Sequence, residues 1–321
     1  MSIAGYIKVI GRGRDGARAL DREQARDLMS QVLDGAVTDL EIGAFALAMR
    51  IKGETVAELA GFLDAVQARC IDIACDRPVV VLPSYNGSRR LPNFTALLAM
   101  LLAQHDVPVL VHGPVHDATR VTTAAIFRDL GLTCAHDGDD VAAGWQRGEP
   151  AFIRTEALCP PLARLLAVRD VVGLRNSGHT VAKLLAACGG APTLRVVNHT
   201  HPDYGALLAD FLAATGADAV LMRGTEGEPV ADVRRRQRLD VYLGGIAQPE
   251  LSLPAQEGVL SHAPVLPRGN DAATTASTIQ AIVSGAMPAP APIAAQVACL
   301  RRVLDLLEAP VQALDTRAAA Q

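Results

Sequence analysis

Aromatic side chains are scarce, at 3% of the 321 residues. That argues against a single-strand binder of the kind that stacks successive bases on aromatic platforms. Lysine is scarcer still: Lys8, Lys52 and Lys183 stand against 27 arginines. The bias accompanies abundant alanine and reads as codon composition, so an arginine here is not in itself a sign of bidentate phosphate binding. No run of about 18 uncharged apolar residues occurs, and no membrane-spanning helix is expected. The start, MSIAGYIKVIGRGRDG, has no apolar run behind a basic end. A secretory signal is therefore not expected, and the expected location is the cytoplasm. The six cysteines (Cys70, Cys75, Cys134, Cys159, Cys188 and Cys299) include no close pair at zinc-ligand spacing. They read as buried free thiols, and neither a metal nor a cofactor is expected.

Half of the residues are hydrophobic and the net charge is only -4, which suits a globular chain with a sizeable core. Asp21 to Gln24 fits a capping box. Behind it Ala25, Leu28, Met29, Val32 and Leu33 recur at helical spacing, and Gly35 suits a left-handed C-terminal cap. Further helices are expected through Ile42 to Met49 and Val56 to Val66, with no strand before about residue 77. Beyond that point short β-branched runs alternate with helical patterns. Strands are expected at Pro78 to Leu82, Val107 to Val111, Phe152 to Ile153, Leu194 to Val197 and Ala219 to Met222. Helices are expected at Thr95 to His105, Ala124 to Leu130, Val181 to Ala187, Ala206 to Ala214 and Ala294 to Leu307, with a frayed end at 316–321. This alternation predicts an α/β fold: a small helical domain over 1–72 and a larger α/β domain over 73–321 with a mainly parallel central sheet.

Several segments carry a resemblance. Asp34-Gly35-Ala36 and the stretch Phe45 to Thr55 resemble the N-terminal helical domain of anthranilate phosphoribosyltransferases. Val111-His112-Gly113 sits where that family has a Lys-His-Gly-Asn turn, and Leu158 to Arg175 resembles the stretch leading to its substrate-binding arginine. The chain is identified as a member of the anthranilate phosphoribosyltransferase-like family. Within it, PSYNG at Pro83 to Gly87, CPPL at Cys159 to Leu162, RNSGHT at Arg175 to Thr180 and GTEGE at Gly224 to Glu228 resemble a YbiB-type branch. That branch implies a homodimer, joined through the helical domain, that binds DNA or RNA and does not transfer phosphoribose.

The residues favour that branch. Where the transferases carry Gly-Thr-Gly-Gly-Asp-Gly for a diphosphate, this chain has Leu82, Pro83, Ser84, Tyr85, Asn86 and Gly87. Glycines let backbone N–H groups approach a phosphate. Pro83 has no N–H, Tyr85 is bulky, and Asn86 lacks the charge of an aspartate. Ser84, Tyr85, Asn86, Gly87, His112 and Gly113 thus read as a vestigial phosphate loop. The family's lysine and asparagine around His-Gly match Val111 and Pro114, and its magnesium-holding acidic pair matches Pro229 and Val230. Glu226 and Glu228 read as a solvated acidic loop. Ser84 and Ser177 have no recognisable base, and no catalytic residue is expected. His199 and His201 read as structural.

For nucleic acid, the pI of about 6.1 is unfavourable, so local charge must carry binding. Arg154 to Arg195 holds six basic residues against Glu156 and Asp170, and Lys8 to Arg18 holds four against Asp15. The expected contacts are Lys8, Arg12, Arg89, Arg90, Arg120, Arg154, Arg175 and Lys183, reaching phosphate with little sequence preference. The run Arg234 to Arg238 reads as an exposed, mobile loop. The alternative is an active glycosyl- or phosphoribosyltransferase with an unidentified acceptor.

Overall fold

The structure is a computed structural model that describes residues 2–260 and 266–308. Helices come first: α1 (Ala4–Ile10), α2 (Gly13–Gly16), α3 (Arg22–Leu33), α4 (Asp39–Lys52) and α5 (Val56–Gln67). The Asp21 capping box at α3 forms as expected, with Gln24 N donating to Asp21 and Gln24 Oε1 accepting from Asp21 N. Thr38 with Glu41 and Thr55 with Glu58 build equivalent boxes at α4 and α5. Gly35 takes φ +70°, the left-handed cap that stops α3. Phe45 and Phe62 pack edge to face, 5.8 Å apart, inside this helical layer.

The rest alternates. Strands β1 (Ile73–Ala74), β2 (Val79–Pro83), β3 (Val109–Gly113), β4 (Cys134–Ala135), β5 (Ala151–Arg154), β6 (Cys188–Gly189), β7 (Thr193–His199), β8 (Ala219–Arg223), β9 (Leu239–Leu243) and β10 (Ile246–Ala247) are interleaved with helices. These are α6 (Thr95–Ala103), α7 (Thr123–Asp129), α8 (Gly138–Gln146), α9 (Thr155–Leu158), α10 (Pro160–Val172), α11 (Ser177–Val181), α12 (Pro202–Thr215), α13 (Ala272–Val283) and α14 (Ala291–Glu308). Eight strands form one sheet in the order β10-β9-β8-β7-β2-β3-β5-β4, parallel except at β9 and β10. Two cores flank it. One joins the helical layer to the near face; the other lies under α6, α13 and α14.

Several expectations need correction. A strand does precede residue 77, because β1 pairs with β6. The helix expected over Val181 to Ala187 ends early: α11 gives way to a single 3₁₀ turn at Ala182–Leu184, and Leu185 is extended. The antiparallel β9 and β10 were not expected; Gly244 and Gly245, both at positive φ, form the tight turn between them. The six cysteines are free, but only Cys159 and Cys299 are fully buried. Residues 316–321 lie outside the described part.

Candidate functional site

From β2 the strands run out through β3 and β5 to β4 at one edge, and through β7, β8 and β9 to β10 at the other. Connections that leave a parallel sheet in opposite directions open a crevice at the strands' carboxyl ends, where α/β folds take ligands. The loop after β2, Ser84 to Phe94, starts there. Gly113 lets it approach β3, since a Cβ at that position would lie 1.9 Å from Ser84 O. Tyr85 turns inward, 6% exposed, and its hydroxyl meets His112 Nδ1 at 2.8 Å. Burial holds His112 neutral by pushing its pKa down to about 3. Tyr85 therefore packs the core and presents no face to a base.

The loop's backbone is claimed by the turn after β8. Glu228 is 1% exposed, which corrects its reading as a solvated acid. One of its oxygens accepts from Asn86 N at 2.8 Å and Gly87 N at 2.7 Å. The other accepts from Ser84 Oγ, from Thr95 Oγ1 at 3.2 Å and from Thr123 Oγ1 at 3.4 Å. Glu226 accepts from Arg89 N at 2.6 Å and Arg90 N at 3.2 Å, and its carbonyl accepts from Asn86 Nδ2 at 3.0 Å. Between them Gly227 sits at φ +88°, where an added Cβ would come 1.6 Å from Asn86 Nδ2. Only glycine lets the turn seat this closely.

The expected cations divide into three groups. Arg175 and Arg120 are half-buried and brace the loop. Arg175 donates to Asn86 Oδ1 at 2.5 Å, and Arg120 to Gly87 O at 3.2 Å. Lys183 donates to Asn198 Oδ1 at 3.2 Å and Gly227 O at 3.1 Å, and burial pulls its pKa down to about 8. Arg175 and Lys183 also line a cleft of about 250 Å³ between α4 and the sheet's carboxyl edge, with Arg50, His179, His199 and Tyr204. Arg89 and Arg90 are exposed at the loop's outer end. Lys8, Arg12 and Arg154 are exposed elsewhere and line neither this cleft nor the groove described next.

The basic excess over Arg154 to Arg195 does not make one surface. Arg195 is 9% exposed and donates to Leu184 O, Arg164 reaches Leu33 O, and Arg169 faces Asp117 at 3.7 Å. Neighbours in sequence face different ways once helices and strands alternate. The run set aside as a mobile loop gathers charge instead. Arg234, Arg235, Arg236 and Arg238 line a groove of about 670 Å³ with Arg90 and Arg223, against Glu226 and Asp232. Asp232 holds Arg234 at 2.8 Å and Arg235 at 3.6 Å, so the segment is anchored. His199 Nδ1 lies 3.1 Å from His201 O, as suits a structural role.

Comparison with known proteins places this geometry. Residues 6–70 match the family model described as "Glycosyl transferase family, helical bundle domain". The chain is 39% identical over 296 residues to "Uncharacterized protein YbiB" of Escherichia coli K12, covering 91% of each chain. It is 27% identical over 291 residues to the anthranilate phosphoribosyltransferase of Methanopyrus kandleri, covering 88% of this chain and 83% of that one. The anthranilate phosphoribosyltransferase of Thermus thermophilus superposes with a TM-score of 0.72 at 21% identity. The Saccharomyces cerevisiae enzyme in complex with PRPP and Mg superposes with 0.70 at 13% identity. Each superposition covers 94% of this chain and 88% of the other.

Proposed function

The chain belongs to the anthranilate phosphoribosyltransferase-like family, and from that premise we propose that it binds DNA or RNA through phosphate contacts and does not transfer phosphoribose. The observation that carries this reading is the groove in which Arg90 and Arg223 meet Arg234, Arg235, Arg236 and Arg238. Six guanidinium groups against Glu226, Asp232 and the Asp240 that holds Arg238 at 2.6 Å make a local positive field that the chain's net charge of -4 conceals. Such a surface holds a phosphate backbone with little preference for sequence.

The fate of the loop supports the same reading. Magnesium and phosphoribosyl diphosphate do not fit the residues present. Both carboxylates of the turn spend their oxygens on loop donors, while Pro229 and Val230 beside them are buried and uncharged. Hard cations need carboxylate oxygens free to coordinate. Exposed Leu40, Leu47 and Ile51 lie along one stripe of α4 and support pairing of two copies through the helical layer. Replacing exposed Arg90, Arg235 and Arg236 with Glu is expected to weaken single-stranded DNA binding sharply. It should also lower the salt slope by roughly one for each lost phosphate contact. Unchanged affinity sinks the groove reading.

A second reading is transfer of a phosphoribosyl or glycosyl group to an unidentified acceptor, and the comparisons by themselves favour it. The relative from Methanopyrus kandleri and the superposed structures carry a transferase name. The cleft that keeps Arg175 and Lys183 is also of a size for a small acceptor. Calorimetry with phosphoribosyl diphosphate and magnesium separates the two: tight, metal-dependent binding favours the transferase reading, and its absence favours the first.

A further inference from the structure

Glu228 is unusual among the buried acids in what surrounds it. Its carboxylate meets two consecutive backbone N–H groups and three hydroxyls, and among the described residues it forms no ion pair within 4 Å. Buried Glu58, by contrast, is paired with Lys52 at 2.7 Å. Consecutive N–H groups at a turn, with hydroxyls closing the other side, form a concavity suited to an oxyanion. Carboxylate fills it with two oxygens where a tetrahedral anion would offer more. The occupant also arrives from far along the chain, on a turn whose glycine has the clearance to seat it.

We propose that Glu228 is a tethered stand-in for a phosphate: it occupies an oxyanion site built by Ser84, Asn86, Gly87, Thr95 and Thr123, and holds that site shut. The site is the cradle; the turn Gly224 to Glu228 is its plug. When the plug's carboxylate is removed, the cradle takes inorganic phosphate from solution. This rests on the same loop contacts that the proposed function sets against phosphoribosyl diphosphate, whereas nucleic-acid binding rests on the arginine groove, so phosphate rescue and the salt series can fail separately.

The test is chemical rescue. Glu228→Ala leaves the donors and empties the space, whereas Glu228→Leu removes the charge and keeps the space full. Melting temperatures of the wild-type protein and both variants are followed against inorganic phosphate, with chloride at matched ionic strength as reference. The expected result is a saturable rise for Glu228→Ala exceeding that of the other two proteins by at least about 2 °C. Equal rises in all three, or no phosphate-specific rise in Glu228→Ala, overturn the proposal. If Glu228→Ala does not fold in chloride, the readout is the yield of folded protein refolded in phosphate against chloride. A phosphate-dependent yield confined to that variant supports the stand-in, and an equal yield in both buffers overturns it.

Discussion

Gly227→Ala tests how much of the site depends on the seating of one turn. Gly227 holds φ +88°, a conformation that costs an alanine roughly 1–2 kcal/mol. That is the smaller effect. The new Cβ would lie 1.6 Å from Asn86 Nδ2 and 2.6 Å from Asn86 Cγ, distances no rotation of the backbone absorbs in place. The Asn86 side chain, held by Arg175 and by Glu226 O, must be displaced, and where it cannot swing clear the turn lifts. Displacement forfeits the Asn86 Nδ2 bond to Glu226 O, and lifting also pulls Glu228 off Asn86 N and Gly87 N. Each buried donor left without a partner costs about 1–3 kcal/mol, reduced where water enters. The total expected is about 2–6 kcal/mol, the upper end applying where the turn lifts. Gly131→Ala is the control, since Gly131 sits at φ +78° with nothing within 4 Å of an added Cβ. It should lose only the backbone strain. Urea unfolding of both variants reads the difference, with the slope checked for constancy. Equal losses for Gly227→Ala and Gly131→Ala refute the seating of Glu228 as described.

Two further outcomes follow from buried groups. Glu58 is fully buried and accepts from Leu20 N, Thr55 N, Thr55 Oγ1 and Lys52 Nζ; Glu58→Gln breaks the ion pair and should cost about 3 kcal/mol in urea unfolding. His112 and His179 have pKa values pushed down by burial from 6.5 to about 3. The unfolded chain takes up these protons near pH 6.5 and the folded protein does not until about pH 3, so their stability contribution is intact above 6.5 and is lost as pH falls. At pH 5 each should cost about 2 kcal/mol. His112→Asn, which keeps an acceptor for the Tyr85 hydroxyl, should recover that share between pH 7.5 and 5; an unchanged pH dependence contradicts the assignment.

What could be read from the sequence was mostly local. The Asp21 box, the apolar stripe of α3 and the buried run of β2 depend on neighbours a few residues apart, and they stand within a residue or two of expectation. The β9–β10 hairpin was also legible in principle, since Gly244-Gly245 separates two apolar runs. Glu228 was not. Its partners Ser84 to Gly87 lie more than 140 residues earlier, and an acid flanked by glycines reads as solvent-exposed until the sheet brings the two loops together. The arginines were legible as a run but not as a wall. Asp232 anchors Arg234 and Arg235 and Asp240 holds Arg238, opposite Arg90, a juxtaposition that only the order β2-β7-β8-β9 creates. Arg195 failed in the opposite sense, as a charge in sequence that the fold places under Leu184.

On the proposed function, this transferase-like scaffold binds the phosphate backbone of nucleic acid. A gel-shift series across salt concentration, with single- and double-stranded probes of several sequences, tests it most directly. Binding is expected to fall linearly in log affinity with log salt, to vary little with sequence, and to lose slope when Arg90, Arg235 and Arg236 are replaced with Glu. No binding at low salt, or binding with the same slope in wild type and variant, contradicts it.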